Sequence, residues 1–193
     1  MMVSAQDMKS VFINMPDSII PLLTKINRED CVDFLASDMK ALVKNRFDKQ
    51  AELKVLTNDY LLMQATEVST IEMKLLPVND SVKVICMVKT LSSPVSDSEI
   101  KFYGTDWKQL ASFSYVKLPI EDAFYLPIQD ESYLLYRKKA DLYLLELSLN
   151  AESAILSCKY TTPLYLNEED RGKLEPYLRK EPIVLNWVNG CFQ

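Results

Sequence analysis

The sequence contains no histidine and little glycine. The absence of histidine among its 193 residues excludes His-based catalytic triads, histidine general bases and histidine ligation of metals. Its three glycines, Gly104, Gly172 and Gly190, are far apart, which excludes the glycine-rich loops that bind dinucleotides or nucleotide phosphates. The chain therefore lacks the common motifs of catalysis and of nucleotide binding, and no cofactor is expected.

The chain also lacks long apolar runs and an excess of positive charge. No run approaches the ~18 apolar residues that a membrane-spanning helix needs, so the protein is not expected to be transmembrane. Its 22 Lys and Arg against 27 Asp and Glu give a net charge of -5, which makes nucleic acid an unsuitable partner. The 48% of apolar and 25% of charged residues are typical of a globular protein with a buried core.

The cysteines leave the redox compartment open. Cys31, Cys86, Cys158 and Cys191 include no C-x-x-C pair, which excludes the common zinc-binding and thioredoxin-like spacings. Their even number allows two disulfides in an oxidising compartment. Cys86 and Cys158, however, each share a strand face with apolar residues, so we expect both to be buried free thiols.

Residues 1–6 are expected to be either the remnant of a signal peptide or a disordered N-terminus. Val3-Ser4-Ala5 places small residues where signal peptidase requires them, and cleavage after Ala5 would leave Gln6 first. No basic or apolar segment precedes this triplet in the sequence, so the disordered N-terminus stays as the alternative.

The N-terminal part of the chain has a helical pattern. Pro16 suits the first turn of a short helix, because the N–H that proline lacks would be unpaired there. Asn27 can cap a second helix, and apolar residues recur at a period of 3.6 over residues 31–43. We therefore predict an amphipathic helix over residues 28–47.

After residue 52 the period of the apolar pattern changes to two, which is typical of strands. Polar turns between short segments predict that consecutive strands pair antiparallel. Residues 119–124 could form a helical turn, residues 130–138 fit either a helix or a strand, and residues 167–177 predict a short helix. The predicted strands are residues 52–56, 60–66, 71–75, 82–89, 100–103, 143–149, 154–161 and 182–187.

Together these elements predict an α+β fold. One antiparallel, mostly meander sheet of about six to nine strands would pack against the N-terminal amphipathic helices. A short C-terminal helix and a final strand would close one end. Residues 7–193 are expected to form a single domain, with possible sub-halves at 7–118 and 119–193.

Six short phrases, spread over nearly the whole chain, carry a family resemblance. They are Met15-Pro16-Asp17-Ser18, Asn27-Arg28-Glu29-Asp30, Leu56-Thr57-Asn58-Asp59-Tyr60-Leu61, Met73-Lys74-Leu75-Leu76-Pro77, Thr162-Pro163-Leu164-Tyr165-Leu166 and Pro182-Ile183-Val184-Leu185-Asn186-Trp187. Together they resemble a family from Bacteroidales that is catalogued as domain of unknown function 3256. The resemblance implies a single domain but no activity. Members of that family typically look exported, so the resemblance also implies a periplasmic or secreted protein, with the cytoplasm as the alternative.

Four aspartates are the first group of candidate site residues. Asp30 and Asp33 lie one turn apart on the predicted helix, and Asp17 and Asp59 could approach its N-terminus. Clustered carboxylates can bind Ca²⁺ or act as an acid–base pair, although capping and solvation are their more common roles. Because no D-x-D-x-D loop is present, no metal is expected.

Tyr133, Tyr136 and Arg137 are the second group, a candidate surface patch beside two further lysines. Exposed tyrosine can stack on sugars or anchor a partner protein, whereas tyrosine at the edge of a core is the commoner arrangement.

The function that these features favour is that of an exported, non-enzymatic binding or accessory module. Its partner would be an envelope protein, a peptide or a glycan, held by an exposed face or edge of the sheet. The alternative is a carboxylate-dependent enzyme such as a hydrolase. A concave pocket with acids of strongly raised pKa would favour the enzyme, and an apolar patch or an open sheet edge would favour binding.

Overall fold

The computed structural model describes residues 7–128 and 130–193, so the expectation for residues 1–6 lies outside the described residues. The α-helices are α1 (Met8–Ile13), α2 (Lys25–Ala36), α3 (Glu131–Arg137) and α4 (Glu168–Leu174). The strands are β1 (Ala41–Lys44), β2 (Gln50–Leu56), β3 (Tyr60–Thr66), β4 (Ser69–Pro77), β5 (Lys83–Leu91), β6 (Asp97–Gly104), β7 (Gln109–Leu110), β8 (Leu145–Leu149), β9 (Ile155–Tyr160), β10 (Ile183–Val188) and β11 (Cys191–Phe192). Short 3-10 helices lie at Ser112–Ser114, Glu121–Phe124, Thr162–Tyr165 and Glu175–Tyr177. The predicted α+β class is confirmed.

Strands β1 to β7 form an antiparallel sheet in which each strand pairs with the next one along the chain. Short turns make this order the simplest one, because consecutive strands meet without a crossover. Strands β4 and β5 pair over nine residues at the centre of the sheet. Their side chains are buried on both faces, so both faces of this sheet need a cover.

The C-terminal part of the chain forms a second sheet, with the strand order β11-β10-β9-β8. The prediction of one sheet is therefore wrong in number, although the meander pairing is confirmed. The second sheet packs on the first around Phe102, Cys86, Leu147, Cys158 and Phe192. Burying the second apolar face of β4 and β5 is the physical reason for this extra layer.

Helices α1 and α2 cover the other face of the first sheet. Met8, Phe12 and Cys31 are buried there against Met63 and Met73. The predicted packing of N-terminal helices on an antiparallel sheet is thus confirmed, with the core divided into one layer on each side of the first sheet.

The helix predicted over residues 28–47 is shorter and begins earlier. Thr24 caps α2, and its hydroxyl accepts from the N–H of Asn27, whose amide oxygen accepts from the N–H of Thr24 in return. Asn27 therefore lies inside the helix, three residues after the position of the cap.

The same helix ends after Ala36, and β1 follows where the prediction continued the helix. Asp38 has a φ of 55°, its N–H donates to the carbonyl of Leu35, and the N–H of Met39 donates to that of Phe34. These two bonds form a Schellman ending, which turns the chain away from the helix axis. Met39, which the prediction placed in the buried apolar stripe of the helix, is 55% exposed.

The helix predicted at Pro16 is also placed differently. Helix α1 ends at Ile13, and Asp7 caps it by accepting from the N–H of Ser10. Burial of Met8 and Phe12 holds α1 on the sheet, so the helical segment lies before the proline rather than after it. Residues 130–138, which fitted two structures, contain α3, and the helical turn expected within 119–124 is present.

The outer edge of β8 is occupied by side chains of the first sheet. Leu145, Leu147 and Leu149 direct their N–H groups away from β9, and these donate to Asp97 Oδ1 (3.1 Å), Ser98 Oγ (2.9 Å) and Glu72 Oε2 (3.4 Å) respectively. An unpaired edge would be open to another strand. Strand addition at β8 is therefore blocked by the packing of the two sheets.

Glu72 joins the sheets from a buried position. Its Oε1 accepts from the hydroxyl of Tyr60 at 2.7 Å, while its Oε2 faces the N–H of Leu149. Burial raises the pKa of this carboxyl, although the two hydrogen bonds oppose the shift. Removal of the charged form from water outweighs the gain from two donors.

The raised pKa of Glu72 predicts a pH-dependent effect of Glu72→Gln. Well below pH 4.5 wild-type Glu72 is protonated in both the folded and the unfolded state. As the pH rises, the unfolded chain ionises first, and the folded protein loses stability. The free energy of unfolding of the variant, relative to wild type, should therefore rise as the pH increases through 4.5, until the folded carboxyl is ionised as well. Urea titrations across this range measure the difference. Glu67→Gln on an exposed turn controls for the lost charge, and a flat difference would contradict the prediction.

The four cysteines are free in the structure, and Cys31, Cys86 and Cys158 are buried. The expectation of buried free thiols at Cys86 and Cys158 is confirmed. Burial raises the pKa of the Cys31 thiol to about 11 and that of Cys158 to about 12, which makes both poor nucleophiles.

Across residues 7–128 and 130–193, no helix has both the length and the apolar character needed to cross a membrane.

Candidate functional site

A cleft of about 350 Å³ opens at one end of the first sheet. Pockets for small ligands commonly have volumes of about 300–1,000 Å³, so this cleft suits one small molecule or a single side chain of a partner. It lies between the loop before α2 and the ends of β3, β4, β5 and β6. The lining residues are 20–22, Ala65, 69–71, 89–91, Asp97 and Glu99.

The register of the meander brings the polar groups of the cleft together. Ile71 on β4 lies opposite Lys89 on β5, and Lys89 lies opposite Glu99 on β6. The next row contains Leu91, which is exposed, and Asp97. Residues two apart on a strand share a face, so these two rows, each with apolar and charged residues, lie side by side at the same end of the sheet.

Lys89 is the cation of the cleft. Its half-buried ammonium donates to the backbone carbonyl of Ile19 at 2.9 Å. Burial lowers the pKa of this lysine, and the nearby charge of Lys101 lowers it further, while the negative charge of Glu99 opposes the shift. No carboxylate of the described residues lies within 4.0 Å of its Nζ. Because an ammonium has three donors, two of them stay available to water or to a ligand.

The acids of the cleft already have partners. Glu99 forms an ion pair with Lys101 at 2.6 Å. Asp97 accepts the N–H of Leu145, as described for the edge of β8. Both acids are therefore held by the protein, whereas the ammonium of Lys89 has a neutral carbonyl as its partner.

Of the four candidate aspartates, Asp17 is held by two arginines. Its Oδ1 accepts from the buried guanidinium of Arg28, and its Oδ2 accepts from Arg46, each at 3.0 Å. Arg28 also donates to the carbonyls of Leu23, Met15 and Ile13. This arrangement fixes the loop between α1 and α2, and thereby one wall of the cleft.

The structure does not gather the other three aspartates into a site. Asp59 forms an ion pair with buried Lys74 at 3.2 Å. Asp30 and Asp33 lie on the exposed side of α2. Within the part of the chain that the structure describes, no three Cys, Asp or Glu side chains are grouped as a metal site requires.

The second candidate group, Tyr133, Tyr136 and Arg137, lies in a cluster of aromatic rings under α3. Tyr133 is buried rather than exposed, because its ring packs edge-to-face on Tyr125 (5.7 Å between centroids) and on Tyr177 (5.6 Å). Tyr136 is half-buried and lies beside the ammonium groups of two lysines. The tyrosines therefore serve mainly as a small core for this helix.

Arg137 ties this cluster together. Its guanidinium lies over the ring of Tyr125, 4.2 Å from the centroid, and donates to the carboxylates of Glu121 and Asp122. The hydroxyl of Tyr160 donates to Glu121 at 2.5 Å and lies 3.2 Å from that of Tyr125. Burial, followed by the hydrogen bond to Glu121, raises the pKa of Tyr160. The two terminal nitrogens of the Arg137 guanidinium and the hydroxyl of Tyr160 all donate to carboxylates, so the network stabilises the fold.

This network predicts a loss of stability in Tyr160→Phe. The change removes the hydroxyl that bonds to Glu121 and Tyr125 in a partly buried site, and we expect the free energy of unfolding to fall by about 1–2 kcal/mol. Tyr165→Phe is the matched control, since its hydroxyl bonds to Asp141 on the exposed surface and its loss should not be measurable. Equal effects of the two changes in urea unfolding would contradict the structural role of the network.

Sequence reasoning did not select Lys89. One signal was available: Lys89 continues the alternate positions of Ile85 and Met87, both buried on the helix-covered face. A lysine in line with an apolar strand face indicates a cation at the border of the core. Its neighbours in the cleft come from three other strands and a loop, and their approach depends on the register.

Comparisons with known proteins add the following. Residues 1–192 match the family model described as "Protein of unknown function (DUF3256)". The fold is similar to that of a solved structure, "Structure of a domain of an uncharacterized protein from Porphyromonas gingivalis W83", with a TM-score of 0.88 and 29% sequence identity over 98% of this chain and 99% of that chain. No curated protein matches the chain. The resemblance inferred from the six phrases is confirmed.

Proposed function

Since the chain belongs to the family described as "Protein of unknown function (DUF3256)", whose description assigns no activity, we propose from the geometry that it is a non-enzymatic binding module. The cleft beside Lys89 would hold a small part of a peptide, a protein or a glycan. The observation that carries this proposal is the cleft itself, where apolar side chains and one available ammonium meet.

The cleft is a better binding site than the edge of the second sheet. The outward N–H groups of β8 donate to Asp97, Ser98 and Glu72, which leaves no row of donors for an added strand there. In contrast, Leu91 is exposed at the cleft, next to the buried side chains of Ile20 and Ile71. A ligand would cover this apolar surface without breaking an existing hydrogen bond.

The positions and partners of the acidic residues support a binding function over that of a carboxylate-dependent enzyme. Glu72 has a raised pKa, as a general acid requires, but it lies between the sheets with Tyr60 and Leu149 as its partners. Asp97 and Glu99 line the cleft. Asp97 accepts a hydrogen bond from the N–H of Leu145, and Glu99 forms an ion pair with Lys101. A free, raised-pKa acid in the cleft would be the expected feature of a hydrolase.

The experiment that tests this function compares the wild type with a blocked cleft on peptide and glycan arrays. Ser69→Trp introduces a large ring at the lining of the cleft, and Glu67→Trp places the same ring on the exposed turn two residues earlier. We expect binding of a subset of array ligands by the wild type and by Glu67→Trp, and at least about tenfold weaker binding by Ser69→Trp.

Leu91→Trp, at an exposed cleft position, is the second blocking variant in case Ser69→Trp does not fold; circular dichroism reports on folding. Wild-type protein that binds nothing on either array, or folded blocked variants that bind as tightly as the wild type, would overturn the proposed function.

We also propose that the protein works in the periplasm or outside the cell. The support is the Val3-Ser4-Ala5 triplet and the exported appearance of the family that the chain resembles. Buried thiols at Cys31, Cys86 and Cys158 are protected from oxidation, which suits such a compartment. Fractionation of cells of the source organism, followed by immunoblotting, tests the location. Recovery in the cytoplasmic fraction alone would refute it.

A further inference from the structure

We propose that the cleft recognises a carboxylate joined to a short apolar group, and that the ammonium of Lys89 binds this carboxylate. This inference rests on the proposed function and specifies its ligand. The candidate ligands are the C-terminal residue of a peptide and a short acyl chain, which share this chemistry.

The first argument is the difference between Lys89 and the other buried cations. Arg28 pairs with Asp17, Lys74 with Asp59, and Arg137 with Glu121 and Asp122. Buried cations normally have such partners, because removal of a charge from water is costly. In the described part of the chain Lys89 has no carboxylate within 4.0 Å, and it lines the cleft.

The second argument concerns the charge of the ligand. Asp97 and Glu99 line the same cleft, so a group with two negative charges, such as a phosphate, would be repelled. A carboxylate carries one charge and matches the two remaining donors of one ammonium. In the structure the carboxyls of Asp97 and Glu99 bond to Leu145 and Lys101 rather than to Lys89.

The third argument is the size and polarity of the remaining space. A volume of 350 Å³ equals that of about a dozen water molecules, and thus of about a dozen non-hydrogen atoms. Ile20, Ile71 and Leu91 provide apolar surface for the body of such a ligand. N-acetyl-leucine and octanoate both have this size and end in a carboxylate, so they are suitable probes for the two sources.

The experiment titrates these probes and their neutral amides, N-acetyl-leucinamide and octanamide, into the protein and follows two-dimensional amide NMR spectra. We expect the signals of residues 69–71 and 89–91 to shift with at least one acid, which should bind about tenfold more tightly than its amide. The acid that binds more tightly identifies the peptide-like or the acyl-like source.

Lys89→Gln should reduce the preference for the acid over the amide to within about twofold. Lys83→Gln is the matched control, because it removes the same charge from the exposed opposite end of β5 and should leave the preference unchanged. A preference that persists in Lys89→Gln, or that is lost in Lys83→Gln as well, would overturn the role of Lys89.

The failure of this inference is distinguishable from that of the proposed function. Equal binding of acid and amide at the cleft, or no shift with either acid, overturns the carboxylate ligand. The array experiment with Ser69→Trp uses neither probe and decides independently whether the cleft binds a ligand.

Discussion

Replacement of Arg28 by alanine is expected to lower the free energy of unfolding by about 3–5 kcal/mol. The guanidinium is 1% exposed and donates to the carbonyls of Met15 and Leu23 as well as to Asp17. Each carbonyl left buried without a donor costs about 1–3 kcal/mol, and the vacated space adds to the loss. Urea unfolding monitored by tryptophan fluorescence measures the change.

Arg46→Ala is the matched control for this prediction. Arg46 binds the other oxygen of Asp17 over the same 3.0 Å, but its side chain is 49% exposed. Exposed ion pairs contribute about 0–1 kcal/mol, so the control should lose far less. Similar losses in the two variants would show that the ion pair with Asp17, and not the buried carbonyl bonds, holds the loop.

Replacement of Phe102 by alanine should cost about 3–5 kcal/mol of unfolding free energy. Phe102 is fully buried between the two sheets, and its ring stacks on Tyr115 (5.2 Å between centroids) and lies 6.2 Å from Trp187. Removal of the ring leaves a cavity that two sheets held by many other contacts cannot close. The midpoint of urea unfolding should fall, while the slope of the transition stays similar.

Phe113→Ala is the matched control for Phe102→Ala, because it removes the same type of side chain from an exposed position. Phe113 is 83% exposed, and its replacement should change the unfolding free energy by less than about 0.5 kcal/mol. A loss below about 1.5 kcal/mol for Phe102→Ala would mean that the two sheets can repack around the vacant site, against the rigid interface described above.

Much of the strand structure could be predicted because it depends on local patterns. The alternation in Ile71, Met73 and Leu75 and the polar turn after Pro77 predicted β4 and its hairpin with β5, as observed. A further local signal was overlooked: Asn189 and Gly190, with φ of 52° and 79°, form the two-residue turn between β10 and β11. The Asn-Gly pair favours this turn, since both residues accept positive φ.

The helix over residues 28–47 shows where a local pattern misleads. Apolar residues at 39, 42 and 43 continue the period of α2, yet residues 41–44 form a strand. Ala41 and Val43 are buried with Leu42 and Lys44 less so, which is the period of a strand. Two periods coexist over so short a segment, and the pairing of β1 with β2 selects between them.

The candidate site depended even more on distant contacts. Asp17, Asp30, Asp33 and Asp59 were grouped by their position near one helix, but ion pairs with Arg28, Arg46 and Lys74 hold Asp17 and Asp59 at different places. An acid's neighbours are set by side chains many residues away, and no local period encodes them.

By itself, the sequence determined the absence of histidine side chains and of glycine-rich phosphate loops, the class of fold and the pairing of consecutive strands. These properties follow from composition and from patterns within a few residues, where backbone geometry and burial of one face act directly. The tertiary structure alone decided that there are two sheets, that the edge of β8 is occupied, and that Lys89 faces a cleft without a carboxylate partner. The reason is physical: the surroundings of a buried charge are created by strands and loops that meet only when the chain has folded.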